Sequence, residues 1–120
     1  LIAHVPLLLH GGARDVLVVG LGSGSTLAST LRHPIESADC VEVSSEVRDA
    51  VRQYFGEVTQ HALDDRRVRL RIGDGRNHVR YADRQYDVVV SQTSHPWASG
   101  AAGLFTREYY QDVRARLRPG

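Results

Sequence analysis

Apolar positions in this chain follow two periods, one for strands and one for helices. Val16 to Val19 run without a polar break, which suits a strand buried on both faces, as in a parallel sheet. The pattern predicts a strand over 14–20, closed by Gly20-x-Gly22-x-Gly24. Leu27, Ala28 and Leu31 then share one side of a helix over 25–32, with Pro34 just beyond it. A second apolar run predicts a strand over 38–43. Ser44 or Ser45 caps the next helix, with Glu46 in the first turn, where the dipole favours it. Val47, Ala50, Val51, Tyr54 and Phe55 keep the i, i+3, i+4, i+7, i+8 spacing, and Gly56 is placed as the C-terminal cap. The stretch 57–65 is polar and reads as a surface loop.

Residues 67–72 alternate strictly. Val68, Leu70 and Ile72 lie on one face and Arg67, Arg69 and Arg71 on the other, as expected of an edge strand. Gly73-Asp74-Gly75 turns the chain into a short helix through Val79. A fourth strand is predicted over 86–91, around Val88-Val89-Val90, followed by a long loop over 92–105. Thr106 caps a last helix with Tyr110, Val113 and Leu117 on one face. The opening run, Leu1 to Leu9, is too short to span a bilayer and is interrupted by Pro6. It lacks the basic start of a signal peptide and reads as a short helix or an extended arm packed on the sheet. Strands alternating with helices predict an α/β fold, a doubly wound parallel sheet with right-handed crossovers and helices on both faces.

One hundred and twenty residues make one domain with room for a core. The net charge of +1 gives no field that argues for nucleic acid or an anionic membrane. Cys40 is the sole cysteine, so there is no disulfide frame, and the six histidines show no metal-ligand spacing. The chain contains no methionine and stops after a helix, where an α/β chain enters its next strand. Both features mark it as one partial domain over 1–120, truncated after the fourth strand and its helix. The fourth strand is then expected to present an open edge that invites self-association.

Ligands of doubly wound sheets sit at the carboxyl ends of strands. Those ends here carry residues 20–24, Glu42, Asp74 and residues 92–95. The glycine turn lets a ligand approach the backbone, and the helix behind it offers unpaired N–H groups. The dinucleotide fingerprint wants a last glycine or alanine where Ser25 stands. Glu42, at the end of the second strand, is placed to take both hydroxyls of a ribose. A tight turn without ligand and a solvated Glu42 is the competing reading of the same residues. Asp74 can accept from an exocyclic amine such as that of adenine, or it can close an Asx-type turn. A loop as long as 92–105 in a compact domain is expected to be a lid or binding loop.

Together these residues resemble the polyamine aminopropyltransferases, the spermidine and spermine synthase family. The resemblance runs from Ala3-His4-Val5-Pro6-Leu7 through the glycine loop, Val41-Glu42-Val43 and Gly73-Asp74-Gly75 to Leu104-Phe105-Thr106-Arg107-Glu108-Tyr109-Tyr110. Ser94-His95-Pro96-Trp97 and Arg76-Asn77 look most like a bacterial branch in which the domain often follows a membrane-embedded segment. The resemblance implies a methyltransferase-like, Rossmann-like sheet and a bound decarboxylated S-adenosylmethionine, with methylthioadenosine as product. Carried over by position, Gly20, Gly22, Gly24 and Gly75 line the nucleoside, Glu42 matches the ribose carboxylate and Asp74 the one near adenine.

Three positions depart from the family. Ser23 replaces an aspartate that holds the aminopropyl ammonium. Gln92 stands where the family deprotonates the attacking amine, and His95 where an aspartate anchors the polyamine. The leading expectation is a spermidine-synthase-like transferase domain, cytoplasmic or the cytoplasmic part of a membrane-anchored parent. Its substrates are an adenosyl sulfonium and a polyamine, with no metal, and a homodimer and an upstream membrane segment stay open. The alternatives are a methyltransferase-type enzyme using S-adenosylmethionine and a non-catalytic nucleoside-binding domain attached to a membrane partner.

Overall fold

The computed structural model describes residues 3–22, 24–57, 59, 61–91 and 107–119, apart from the side chain of His4. Ser23, Gln92, His95, the rest of the 92–105 loop and the Thr106 cap lie outside the described residues. Helix α1 spans His4–His10 and strand β1 Asp15–Val19. Helix α2 (Ser25–Leu31) leads to β2 (Ser37–Glu42), and α3 (Ser45–Tyr54) follows. A 3-10 turn, Ala62–Asp64, precedes β3 (Val68–Ile72). Helix α4 (Gly75–Tyr81), β4 (Val88–Ser91) and α5 (Arg107–Arg116) complete the order.

All strand pairs are parallel, in the order β3-β2-β1-β4. The chain winds outward from β1 to β3, then crosses back to the far side of β1. That reversal between β1 and β4 is the switch point at which open α/β sheets bind ligands. The alternation of side chains splits the interior in two. Val16, Val18, Ala38, Cys40, Val88 and Val90 face one core, with Leu7, Leu27 and Val51 from the first three helices. Leu17, Val19 and Val41 face the other, with Val79 of α4 and Tyr109 of α5. The run Val16–Val19 is apolar throughout because both faces of β1 are covered. Strand β3 takes the edge, and only Val68 and Leu70 pack on the first core, while Ile72 is 40% exposed at the rim.

Several expectations shift by a residue or a turn. The opening run is helical, because Pro6 falls in the first turn of α1, where its missing N–H costs nothing. Ser44 is the cap of α3, its side chain accepting the Val47 N–H at 3.3 Å. Tyr54 is 71% and Phe55 38% exposed, so the apolar stripe of α3 is shorter than its periodicity suggested. The core is closed instead by buried Ala62, with Leu63 against it, so 57–65 is not merely a surface loop. On α5 the buried tyrosine is Tyr109 rather than Tyr110. Tyr109 stands four residues before Val113, and its hydroxyl meets Ser91 Oγ at 2.8 Å. Leu117 leaves the helix to form a parallel bridge with Tyr86, which itself precedes β4.

Candidate functional site

The carboxyl ends of β1, β2 and β3 form a continuous rim through backbone hydrogen bonds. Gly20 N–H donates to the Val41 carbonyl and Gly73 N–H to the Glu42 carbonyl, each at 2.8 Å. Gly20, Gly22 and Gly24 have φ of 95°, 55° and 88°, in the left-handed region that side chains with a Cβ disfavour. A Cβ on Gly24 would also lie 2.9 Å from Thr59 Cγ2. The loop is thus shaped by its glycines above and pressed against Thr59 and Val51 below.

Glu42 is the centre of the rim. It is only 8% exposed, and its carboxylate is shared between two loops. Oε1 accepts the Leu21 N–H at 2.9 Å and Oε2 accepts the Ser44 N–H at 3.0 Å. An ionised carboxylate offers about four lone-pair positions, and the described residues take two of them. The solvated glutamate of the competing reading is therefore absent. Burying a carboxylate at a strand end is costly without such partners, and these tie the glycine loop to the start of α3.

Asp74 caps α4. Its Oδ1 accepts the Arg76 N–H at 2.8 Å, and Oδ2 lies 3.3 Å from the Arg76 guanidinium. Burial would raise its pKa, but the Arg76 N–H and guanidinium outweigh that and hold it below the usual carboxylate value. The Asx-type geometry is thus present, with the second oxygen turned towards a cation. Gly75 opens α4 beside it. Val43, not singled out by the pattern, is 75% exposed between Glu42 and Ser44, an apolar face at a polar rim. Its signal in the sequence is a valine directly after the strand's terminal carboxylate. A cleft of about 380 Å³ opens between α4 and α5, lined by Arg76, Asn77, Arg80, Glu108, Tyr109 and Asp112. It lies beside the rim rather than over Glu42. Among the described residues no cluster of His, Cys, Asp and Glu could hold a metal ion, and no helix is long and apolar enough to cross a membrane.

The spermine/spermidine synthase domain matches residues 1–120. The chain belongs to the spermine/spermidine synthase family. It is 39% identical to the polyamine aminopropyltransferase of Sodalis glossinidius (strain morsitans) over 121 residues, which are 100% of this chain and 42% of that one. The polyamine aminopropyltransferase of Moorella thermoacetica (strain ATCC 39073 / JCM 9320) is 39% identical over 119 residues, 98% of this chain and 41% of its own. A spermidine synthase solved with the transition state analogue AdoDATO superposes with a TM-score of 0.91 at 36% identity, covering 98% of this chain and 40% of that chain. Human methyltransferase-like protein 13, solved with SAH, shares the fold at a TM-score of 0.69 and 24% identity, over 98% of this chain and 56% of its own. The sheet is therefore of the methyltransferase-like, Rossmann-like kind. The chain spans about 42% of the length of the curated relatives it matches.

Proposed function

We propose that this chain is the nucleoside-binding part of an aminopropyltransferase-type domain, holding an adenosyl sulfonium across Glu42 and Asp74. One observation carries the reading: the buried Glu42 carboxylate organises the glycine loop by accepting the Leu21 and Ser44 N–H groups, and its remaining lone pairs are the ones two ribose hydroxyls would use. Val43 supplies an apolar face for the base and Asp74 an acceptor for its exocyclic amine. The spermidine synthase solved with AdoDATO and the polyamine aminopropyltransferases support decarboxylated S-adenosylmethionine as the nucleoside and a polyamine as the acceptor. In that reaction the amine lone pair attacks the carbon beside the sulfonium. A C–N bond forms, the C–S bond breaks, and methylthioadenosine leaves with the sulfur electrons. The nitrogen must lose a proton. Gln92, at the family's base position, has an amide that orients a donor but takes no proton. The polyamine reaction is accordingly weak in this protein.

A second reading, S-adenosylmethionine as the bound nucleoside, is favoured by Ser23. A hydroxyl there admits the carboxylate that an aspartate would repel. Calorimetry with methylthioadenosine, S-adenosylmethionine and its decarboxylated form separates the two. Tightest binding of S-adenosylmethionine selects the second reading, and binding of none of the three removes both.

A further inference from the structure

A chain of polar side chains, buried at Asp39 and Tyr86 and half-buried at His78, runs beneath the rim. Asp39 lies in β2, three residues before Glu42, and is 2% exposed. Tyr86 is fully buried, and its hydroxyl donates to Asp39 Oδ2 at 2.7 Å. That uses the phenol's single proton, so its oxygen accepts from His78, whose Nε2 is 3.0 Å away. Arg69 and Arg84 complete the shell of Asp39 at 3.1 and 3.3 Å, and Arg84 also lies 5.2 Å over the Tyr86 ring. Burial lowers the pKa of His78, opposed by Asp39 and reinforced by Arg71, Arg69 and Arg84. His78 is then a neutral Nε2–H donor at neutral pH.

Stability alone is a poor reason for such a cluster, because well-packed apolar residues often serve as well as a buried ion pair. Hydrogen bonds differ from apolar packing in setting both distance and direction. The cluster joins two elements of the rim. Asp39 belongs to the strand that ends in Glu42. His78 belongs to α4, and its backbone N–H donates to the Asp74 carbonyl at 3.0 Å. Helix α4 has seven residues, too few to be stable by itself. At its far end Arg116 binds the carbonyls of Val79 and Arg80, each at 2.9 Å. His78 stands mid-helix, four residues after the Asp74 cap, and its side-chain bond to Tyr86 ties α4 to β2 through Asp39.

We infer that the Asp39–Tyr86–His78 chain is a positioning device for base recognition, setting where Asp74 stands relative to Glu42. The inference rests on the nucleoside reading for what spans those two carboxylates. Tyr86 and His78 are positioning residues and act through α4.

The test uses the intact protein and its Tyr86→Phe, His78→Phe and His78→Gln variants. Affinities are measured for methylthioadenosine, for methylthioinosine and for the deoxyribose analogue of the first. Tyr86→Phe and His78→Phe are expected to reduce the preference for adenine over hypoxanthine by about 3- to 10-fold, the worth of one hydrogen bond. The penalty for losing a ribose hydroxyl stays as in the wild type, and His78→Gln restores most of the base preference. Amide exchange at 75–77 in the ligand-free protein is expected to quicken in Tyr86→Phe while the Leu21 amide keeps its rate. An unchanged base preference, or an equal loss of base and ribose discrimination, overturns the inference. If the wild type binds none of the probes, the nucleoside reading fails. Base recognition then falls with it; faster exchange at 75–77 upholds only that the chain fixes the start of α4, and unchanged exchange removes that as well.

Discussion

The Glu42 carboxylate accepts the Leu21 N–H at 2.9 Å, so the end of β2 holds the glycine loop that follows β1. Leu21 is itself fully buried, which leaves its N–H no access to water. Glu42 therefore has a structural duty as well as the proposed ribose contact, and the two can be measured apart.

Glu42→Ala strands the Leu21 donor. It is expected to lower folding stability by about 1–3 kcal/mol, the cost of a buried unsatisfied group. Methylthioadenosine binding should weaken by roughly 1–3 kcal/mol as well, as for lost charge-assisted bonds. Glu42→Gln keeps one carbonyl acceptor and should recover much of the stability but less of the affinity. Urea titration gives the first quantity and calorimetry the second. Undiminished nucleoside affinity in Glu42→Ala would remove the ribose assignment.

Gly24→Ala meets a φ of 88°, a Thr59 methyl 2.9 Å from the new Cβ and a Val51 methyl at 3.1 Å. The left-handed backbone alone costs roughly 1–2 kcal/mol, so a loss of at least that size is expected. Combining it with Thr59→Ser removes that methyl and should return only the Thr59 share of the steric cost. Full recovery in the double variant would show that backbone conformation contributes nothing here.

Acid should weaken the fold in two stages. His78 has a lowered pKa in the folded state, from an ordinary value of 6.5, mainly through burial. The unfolded chain binds that proton first, so stability is complete above about pH 6.5 and declines as pH falls. Asp65 and Asp87 are held at about 2, against an ordinary 3.8. Around Asp65 the bonds from the Arg67 side chain and backbone dominate. At Asp87 burial opposes the shift but is outweighed by the Asp15 and Arg14 N–H groups and Arg118. Their contribution is present above pH 4 and is lost as pH falls towards 2. Denaturation midpoints measured across pH should slope in both windows, and His78→Gln should flatten the upper one.

Gln92→Asp supplies a proton acceptor where the family has its base. In the intact protein it should raise putrescine-dependent release of methylthioadenosine, more so with His95→Asp. General-base catalysis sets the ceiling at roughly 10²–10⁴ in rate. Vigorous turnover by the unmodified protein, insensitive to His95→Ala, would place the base elsewhere.

Much of the sheet was legible because its signals are local. The unbroken run Val16–Val19 announced a doubly covered strand, and the alternation of Val68 and Leu70 with arginines announced an edge. Tyr54 and Tyr110 misled because periodicity names an apolar stripe but not how far its neighbours extend. Ala62 is buried in the core while Tyr54 is exposed, and Tyr109 rather than Tyr110 is buried, with its hydroxyl against Ser91.

The sequence by itself determined the order of elements, the glycine turn, and the placing of Glu42 and Asp74 at strand ends. Backbone freedom at glycine and side-chain period are properties of short stretches, so they can be read without knowing what packs where. Only the tertiary structure decided that Glu42 is buried and bridges Leu21 to Ser44. It also decided that Asp39, His78 and Tyr86, up to 47 residues apart, share one hydrogen-bonded chain. A polar residue in a strand shows its type in the sequence, but its partner is chosen by register and by which face the next helix covers.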